Sequence, residues 1–426
     1  MSAGLIEARP STGLERTRSP SSPGRIVVQA WLASRGLILA VALVLAVVQH
    51  RSLSDMVSNW DVQHFAKLAA DGYLADPDGT LMAFFPGWPV ILALFTQLGV
   101  PVAISGVIIS TACSAIAAAA LYRLGGPWAA VAWLFAPTAV FTMVPYTESL
   151  FCALAFWAWE RARADRWLAA ALLTSVACTV RVSGLFLVGA LLIMIITSAE
   201  PAKAKLRRAS LMLLPAAVIM MFAIYLYALT GSWTAWYRAQ STGWVRQLTW
   251  PWDSFLNTIP VILPGAYANH PWWAAVFRGE MISMVVGVSV TIWCIVLSLR
   301  ARRAAHPLSP SARALSPSAR ALSPSTRALS RSKGATSVLR QAQPTYWGEA
   351  SWVGVQVVAF SMSYWFFSVN RATLLWFPLW IMLGRWVTGP SNSPRLHRVL
   401  VGCAFGLEIV LMLWWSWLFF TGHWAS

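Results

Sequence analysis

Long apolar runs, separated by short polar or basic stretches, dominate this sequence from about residue 29 onward. Most of the runs approach the ~20 residues that a helix needs to cross ~30 Å of hydrocarbon. We therefore predict an all-α, polytopic integral membrane protein with about eleven spans. These are residues 29–48, 84–99, 102–122, 127–144, 148–160, 167–198, 209–230, 280–299, 350–368, 372–388 and 398–420. The span at 167–198 is interrupted at Arg181-Val182-Ser183-Gly184, so it is either one kinked span or a re-entrant pair.

The composition supports a membrane protein and excludes a soluble enzyme. Hydrophobic residues make up 58% of the chain and charged residues 11%, against about a quarter in soluble domains. The net charge of +17 could suggest a nucleic-acid partner, but the basic residues crowd into tails and interhelical loops, as the positive-inside rule requires. We therefore expect membrane lipids and no nucleic acid as partners, in a multi-pass protein of the cell membrane. The five cysteines are scattered singly, without the paired spacing of a zinc site.

Polar and low-complexity stretches divide the chain into four regions. Residues 1–28 are predicted to be a disordered cytoplasmic tail, and residues 29–299 an amino-terminal transmembrane core with outer loops at 49–83 and 231–279. Residues 300–345 form a basic Ser/Pro/Arg linker whose three seven-residue repeats each contain a proline, which excludes a coiled coil. Residues 346–426 carry the carboxy-terminal transmembrane helices.

The first outer loop concentrates carboxylates in a chain that is poor in them. It holds five of the fifteen acidic residues, at positions 55, 61, 71, 76 and 78. On a helix, Asp61 would share a face with His64 and Phe65. An acid, an imidazole and an aromatic ring at one opening of the protein are a combination suited to binding a sugar. Asp61 is the candidate general base; the alternative is that it caps a short helix, because Asp is a favoured N-cap.

His64 has several possible roles beside Asp61. It could orient the carboxylate, donate to a phosphate, ligate a metal, or be purely structural. One Asp and one His three residues apart make a poor metal site. We therefore expect neither a metal nor another cofactor.

Three further charged residues lie beside apolar runs, where an ionisable group is costly and is by default a functional hypothesis. Glu148 could serve the site, or it could simply begin a helix, stabilised by the helix dipole. Arg181 could bind a lipid phosphate or pair with Glu148. Arg371 is another phosphate candidate, because its planar donor fork matches two phosphate oxygens.

The second outer loop is rich in tryptophan, with Arg238, Arg246 and Gln247 interleaved. These rings could stack on a sugar, but tryptophans gather at any bilayer interface. Trp244 and Arg246 are the candidates retained, because they fall in one of the motifs below.

Six motifs in order resemble those of the PIG-V type mannosyltransferases. They are Trp60-Asp61-x-x-His64-Phe65 with Gly72-Tyr73, Ala83-Phe84-Phe85-Pro86, Pro145-Tyr146-Thr147-Glu148-Ser149-Leu150-Phe151, Arg181-Val182-Ser183-Gly184, Gly243-Trp244-x-Arg246 and Asn370-Arg371-Ala372-x5-Phe377-Pro378. Gly87-Trp88-Pro89 departs from the Leu-aromatic-Pro expected of the family, and the Ser/Pro/Arg linker is foreign to it.

The resemblance implies a GT-C architecture and an inverting glycosyltransferase. Such enzymes move mannose from a polyprenyl phosphate to a lipid-linked or protein-linked glycan on the extracytoplasmic face. Asp61 would be the base, and Trp60, His64, Glu148, Arg181, Trp244, Arg246 and Arg371 would bind the substrates. Two other classes remain open: another GT-C enzyme, such as an arabinosyltransferase or protein O-mannosyltransferase, and a lipid or solute transporter. A transporter should show Gly/Pro-broken helices at corresponding places in two halves, and no such symmetry is visible.

Overall fold

The computed structural model describes residues 23–76, 78–267, 269–305 and 345–425. Within these ranges the chain is helical and contains no strand. The amino-terminal helices are α1 (Pro23–Gln49), α2 (Leu53–Val57), α3 (Asp61–Asp71), α4 (Gly87–Gln97), α5 (Val102–Gly125), α6 (Pro127–Leu134), α7 (Glu148–Arg163), α8 (Trp167–Val180) and α9 (Ser183–Thr197). The remaining helices are α10 (Ala202–Leu211), α11 (Leu213–Thr230), α12 (Ala235–Trp244), α13 (Pro251–Ile262), α14 (Pro271–Ala305), α15 (Trp347–Ser361), α16 (Val369–Ala372), α17 (Phe377–Thr388) and α18 (Pro394–Phe420). The predicted all-α, polytopic class is confirmed.

Five helical stretches of the described chain are long and apolar enough to cross a bilayer. They are α1, α5, the continuous stretch formed by α10 and α11, α14 and α18. Shorter apolar helices, among them α4, α8 and α9, pack between them. The predicted total of about eleven crossings stays a prediction, because several of the predicted spans are shorter helices.

Several predicted spans are wrong as continuous membrane helices, among them 84–99, 127–144 and 372–388. The last of these contains a 3-10 turn and only the 12-residue α17. The stretch 84–99 contains only the 11-residue α4, which is ~16 Å long and too short to cross the hydrocarbon core. The stretch 127–144 forms α6 and then a 3-10 turn at Ala139–Thr142. The helix stops before Pro137, which cannot donate a backbone hydrogen bond.

Irregular backbone at this depth is tolerated because protein surrounds it. Residues 139–142 are all buried, and Arg35 reaches them from α1. Its guanidinium donates to Thr142 Oγ1 at 2.5 Å and to the Leu134 carbonyl at 3.4 Å. A buried arginine thus satisfies acceptors that the broken helix exposes.

The interrupted span at 167–198 is an antiparallel helical pair. Helix α8 ends at Val180 and α9 begins at Ser183, and a Cβ added to Gly184 would lie 2.7 Å from the Cys178 Cα. Arg208 of α10, which follows α9, pairs with Asp165 just before α8 at 2.8 Å. The start of α8 and the end of α9 therefore lie at the same end of the molecule. This arrangement also places the basic clusters at 161–166 and 203–208 on one side, as the positive-inside rule requires.

The predicted region boundaries differ slightly from the structure. Helix α1 begins at Pro23, inside the predicted tail, and α14 continues to Ala305, inside the predicted linker. The repeats of the linker and most of the tail lie outside the described residues. The loop at 49–83 contains α2, α3 and two 3-10 turns, and the loop at 231–279 contains α12, α13 and the first turns of α14. Both outer loops are therefore largely helical, and they pack together over the same end of the bundle. All five cysteines are free, four of them buried and Cys403 exposed.

Candidate active site

Asp61 is the first residue of α3, in the loop at 49–83 that packs over one end of the bundle. Its backbone N–H donates to the Tyr146 hydroxyl at 3.2 Å. Its carboxylate makes no capping bond to the helix, so the N-cap alternative is wrong. Instead, Arg371 Nη1 donates to Asp61 Oδ2 at 3.0 Å. The second oxygen, Oδ1, has no hydrogen-bond partner among the described residues, which leaves it open to a ligand.

Glu148 links two arginines behind Asp61. The carboxylate is fully buried at the start of α7. Arg181 Nη1 donates to Glu148 Oε1 at 2.7 Å and to Thr147 Oγ1 at 2.6 Å. Arg371 Nε lies 3.3 Å from the same Glu148 oxygen. Asp61, Arg371, Glu148 and Arg181 therefore form one chain of alternating charges, in which Glu148 also begins α7.

Arg371 is held as a cation by its surroundings. Burial alone would lower its pKa, but the carboxylates of Glu148 and Asp61 outweigh that effect and raise the pKa above its ordinary value. The guanidinium also stacks 5.3 Å from the ring centroids of Phe141 and Tyr146. Its Nε is buried and makes no hydrogen bond within the described chain. This nitrogen lies 3.3 Å from the Glu148 carboxylate, so the guanidinium is fixed from that side by an ion pair.

Glu280 positions the segment that carries Arg371. Its buried carboxylate accepts hydrogen bonds from the backbone N–H groups of Ser368, Val369 and Asn370, at 3.1, 2.6 and 2.9 Å. Three such bonds to one charged acceptor fix the start of α16. From the sequence we expected only that a span begins near Glu280. Its role in holding the start of α16 was therefore missed.

Two residues that precede the charged pair have left-handed backbone. Trp60, directly before Asp61, has φ of +57°, and Ser368, three residues before Arg371, has φ of +64°. Such conformations cost about 1–3 kcal/mol for residues other than glycine and persist where surrounding contacts fix them. Here Trp60 Nε1 donates to the His423 carbonyl, and Ser368 N–H donates to Glu280. The strain lies where Asp61 and Arg371 are brought together.

Two chambers meet at Asp61, Trp244 and Arg371. The larger one, of about 480 Å³, we call the aromatic chamber. It is lined mainly by rings, namely Trp60, His64, Phe141, Tyr146, Trp244, Trp365, Phe367 and Trp424. The smaller one, of about 100 Å³, we call the arginine chamber, because Arg181, Arg246 and Arg371 all line it. One carboxylate therefore faces both an aromatic space and a cationic space.

Arg246 brings the third cation to the arginine chamber. No carboxylate of the described chain lies within ion-pair distance of it, and its Nε is buried without a hydrogen-bond partner there. Burial, and then the nearby Arg371 and Arg181, lower its pKa to about 10, so it remains charged at neutral pH. Its guanidinium carbon lies 5.9 Å from the ring centroids of Phe360 and Phe367. Such a cation is suited to an anionic ligand.

The remaining sequence candidates also lie at the two chambers. His64 stacks on Phe84 at 5.5 Å and meets the edge of Trp244 at 5.7 Å, within the aromatic chamber. It makes no hydrogen bond to Asp61, so the orienting role is not seen. Trp60 is 40% exposed at the rim. All eight candidates are thus brought together.

Tyr146 is a site residue that sequence reasoning missed. It lies within the Pro145-Tyr146-Thr147-Glu148 motif, but only its neighbour Glu148 was singled out. Burial, and then the Asp61 carboxylate, raise the pKa of its hydroxyl well above the ordinary value. The group therefore stays protonated while it accepts the Asp61 N–H bond.

The tryptophans of the second outer loop divide into two groups. Trp244 belongs to the site, whereas Trp233, Trp250 and Trp252 are more than 60% exposed. The interfacial alternative fits these three. No group of three or more potential metal-ligating side chains is found among the described residues, and the expectation of no metal remains a prediction.

Residues 29–237 match the family model described as mannosyltransferase (PIG-V). This region is similar to the PIG-V mannosyltransferase family. It contains Asp61, His64, Glu148 and Arg181 but ends before Trp244. The predicted resemblance is confirmed for this part of the chain.

Curated relatives give the same result over a shorter stretch. The rat GPI alpha-1,6-mannosyltransferase 2 is 34% identical over 155 residues, which is 32% of this chain and 31% of the rat protein. The mouse and human proteins of that name are 33% and 32% identical over 157 residues, with the same coverage. The alignment therefore spans less than a third of these relatives. No solved structure matches the chain significantly.

The one departure from the PIG-V pattern in this region has a packing explanation. A Cβ added to Gly87 would lie 2.3 Å from Thr179 Oγ1 and 2.7 Å from the Thr179 carbonyl oxygen. Glycine at this position lets α4 approach the end of α8, directly below Arg181. The substitution concerns helix packing and leaves the charged residues in place.

Proposed function

We propose that this protein transfers mannose, with inversion, from polyprenyl-phosphate-mannose to a lipid-linked or protein-linked glycan at the extracytoplasmic face of the cell membrane. The observation that carries the proposal is the position of Asp61 between the aromatic chamber and the arginine chamber. A carboxylate between a space suited to a sugar acceptor and a space suited to a phosphate is what this reaction needs. The names of the relatives, which specify alpha-mannosyl transfer, agree with an α-linked product.

The reaction follows from the two chambers. The acceptor hydroxyl oxygen attacks the anomeric carbon of mannose, and Asp61 Oδ1 takes its proton. The bond from the anomeric carbon to the phosphate oxygen breaks, and its electron pair stays on the phosphate. Arg371 and Arg246 compensate the charge that grows on the departing group, in a site where their positions are already fixed. No metal is required in this scheme.

The charged ends of the helices support the proposed sidedness. Arg123 pairs with Glu160 at 2.6 Å, and Arg163 pairs with Glu349, at the end of the bundle opposite Asp61. The positive-inside rule makes that basic end cytoplasmic. Asp61 then faces the other side of the membrane.

Radiolabelled β-linked polyprenyl-phosphate-mannose, added to membranes that contain the overexpressed protein, tests the proposal. We expect label in a lipid or glycan fraction, released by α-mannosidase, and no label in membranes that contain the Asp61→Asn variant. GDP-mannose given to the purified protein should not replace the lipid donor. Transfer from GDP-mannose alone, or a product resistant to α-mannosidase, would contradict the donor or the inversion.

Sealed vesicles of opposite orientation test the sidedness. A short-chain, water-soluble donor should be used only by right-side-out vesicles. Equal use by inverted vesicles would place the site on the cytoplasmic face.

A further inference from the structure

An apolar groove opens at the surface of the bundle between α4, α8 and α11. Its volume is about 600 Å³, and its lining is almost entirely hydrocarbon, including Val90, Ala93, Val218 and Met221. Val90, Met221 and Tyr225 are 54%, 67% and 45% exposed, so one edge of the groove is open sideways. A flexible apolar chain can therefore enter it laterally from the bilayer.

The upper end of this groove adjoins the arginine chamber. Phe85 and Val180 line the chamber, and their chain neighbours Pro86 and Thr179 line the groove. The Phe85 ring packs against Phe222 of the groove with 4.5 Å between centroids. A molecule with an anionic head and an apolar tail can thus occupy both spaces at once.

The direction of the groove fits such a molecule. Helix α8 runs toward Arg181 and ends just after the groove residues Cys178 and Thr179. On α11 the lining extends from Val218 to Tyr225, which is ~10 Å along the helix axis. The arginine side chains lie at one end of an apolar track, so head and tail are separated as in a lipid phosphate.

We propose that this groove binds the polyprenyl chain of the lipid-phosphate donor, with the phosphate in the arginine chamber and the acceptor in the aromatic chamber. The assignment rests on the proposed function. At the phosphate position, Arg246 has no carboxylate within ion-pair distance among the described residues, and its Nε is buried without a hydrogen-bond partner there. Together with Arg181 and Arg371 it lines the arginine chamber, which gives the anionic head a cationic site that the groove alone would lack.

A second apolar groove, of about 560 Å³ between α14, α17 and α18, is the competing position. None of Arg181, Arg246 and Arg371 lines it, and its lining includes the Glu408 carboxyl group. Its lining also includes Arg278, so it is not without a cation. However, it shares no lining residue with the arginine chamber, where three arginines lie together. The first groove is therefore the better site for a lipid phosphate whose head lies in that chamber.

Photo-crosslinking with a polyprenyl phosphate that carries a diazirine in its tail tests the assignment on the full-length protein in nanodiscs. We expect label on α4, α8 and α11, and competition by unlabelled polyprenyl phosphate. Phosphatidic acid, which has the same head group on a bilayer lipid, should compete poorly. Label on α14, α17 or α18 would place the tail in the second groove and overturn the proposal, as would equal competition by phosphatidic acid.

A pair of adjacent substitutions on α11 separates blocking of the groove from general damage. Val218→Trp fills the groove, whereas Ala217→Trp places the same ring on the exposed face beside it. Val218→Trp should weaken binding of polyprenyl phosphate by at least ~10-fold, because loss of contact with two buried CH₂ groups already has that effect. Binding of the two-isoprene citronellyl phosphate should change little in either variant.

The outcomes distinguish the groove from the proposed function. Unchanged binding of the long chain to the Val218→Trp variant, or equal losses for both chain lengths, would overturn the groove assignment even if mannose is transferred. Binding in the groove without mannose transfer by wild-type protein would instead leave the groove in place and remove the proposed function. Ala93→Phe on α4 is a second blocking variant, should Val218→Trp fail to fold.

Discussion

The region that matches the PIG-V family and the region that follows it contribute different chemistry to one site. Residues 29–237 supply both carboxylates, Asp61 and Glu148, together with Arg181. The later region supplies Trp244, Arg246 and Arg371, and Glu280, which holds the Arg371 segment. The proposed base therefore lies inside the matched region, whereas two of the three cations at the proposed phosphate position lie outside it.

The resemblance to the family and the geometry of the site therefore concern different residues. The family match includes Asp61, the proposed base, but ends before Arg246 and Arg371. Their assignment depends on the 3.0 Å bond between Arg371 and Asp61 and on their shared chamber. Substitutions in the two regions should consequently have different effects.

Asp61→Asn should give the largest effect on turnover. The amide keeps the size of the side chain but cannot take the acceptor proton, so kcat should fall ~10²–10⁴-fold, the usual contribution of general-base catalysis. Asp55→Asn, an exposed change in the same loop, is the matched control and should retain full activity. Near wild-type turnover by purified Asp61→Asn would remove this residue from the mechanism.

The Glu148–Arg181 pair should instead determine stability. Replacing either residue by Gln leaves its partner buried without its counter-charge, which typically costs about 3–5 kcal/mol. Glu148→Gln should be the more damaging of the two, because Glu148 also faces Arg371. The double variant should recover part of the loss.

Thermal unfolding in detergent measures this cycle. The Arg208–Asp165 pair, in which the Asp165 side chain is 69% exposed, is the control and should show almost no coupling. Strictly additive losses for Glu148 and Arg181 would show that their contact contributes nothing specific.

The sequence predicted the helical class, and the charged candidates it singled out lie close together, because both depend on local features. Apolar run length predicts helices in a membrane, and charged residues beside such runs stand out. Seven of the eight candidates line the two chambers, and the eighth, Glu148, lies behind them and pairs with Arg181. For Arg181 the two alternatives were binding of a lipid phosphate and pairing with Glu148. The structure shows the pair with Glu148.

Other features depend on contacts that no local pattern shows. The run at 127–144 has the hydropathy of a span, yet its second half is irregular, and the buried acceptors there are satisfied by Arg35, which lies 107 residues before Thr142. In the sequence, Glu280 is only the edge of an apolar run. Its role could not be predicted there, because its partners are backbone N–H groups 88–90 residues away. The antiparallel arrangement of α8 and α9 could not be chosen from hydropathy, since two 14- and 15-residue helices and one kinked span have the same composition.

Arg371→Lys should weaken the use of the lipid donor, to which the later region contributes, and leave the fold intact. Lysine keeps the charge but cannot reach Asp61, Glu148 and a phosphate with one planar group. Loss of one charge-assisted hydrogen bond costs about 1.5–3 kcal/mol, so kcat/KM for the lipid donor should fall ~10–150-fold. Initial rates at varied donor and acceptor measure the effect, and the KM for the acceptor should stay constant. A defect confined to the acceptor KM would move Arg371 out of the phosphate site.

Trp244→Ala should have the smallest effect of these substitutions, and it tests whether the second outer loop contributes to binding at all. The ring lies between the two chambers, edge-on to His64 and 5.1 Å from the Phe84 centroid. An aromatic contact of this kind contributes about 0.5–1.5 kcal/mol beyond its buried area, so KM for one substrate should rise ~2–13-fold. Trp250→Ala removes a ring that is 76% exposed and lines neither chamber, so its kinetics should match wild type. Equal effects of the two substitutions would mean that these tryptophans serve the bilayer interface alone, and the aromatic chamber would then depend on rings from the other segments.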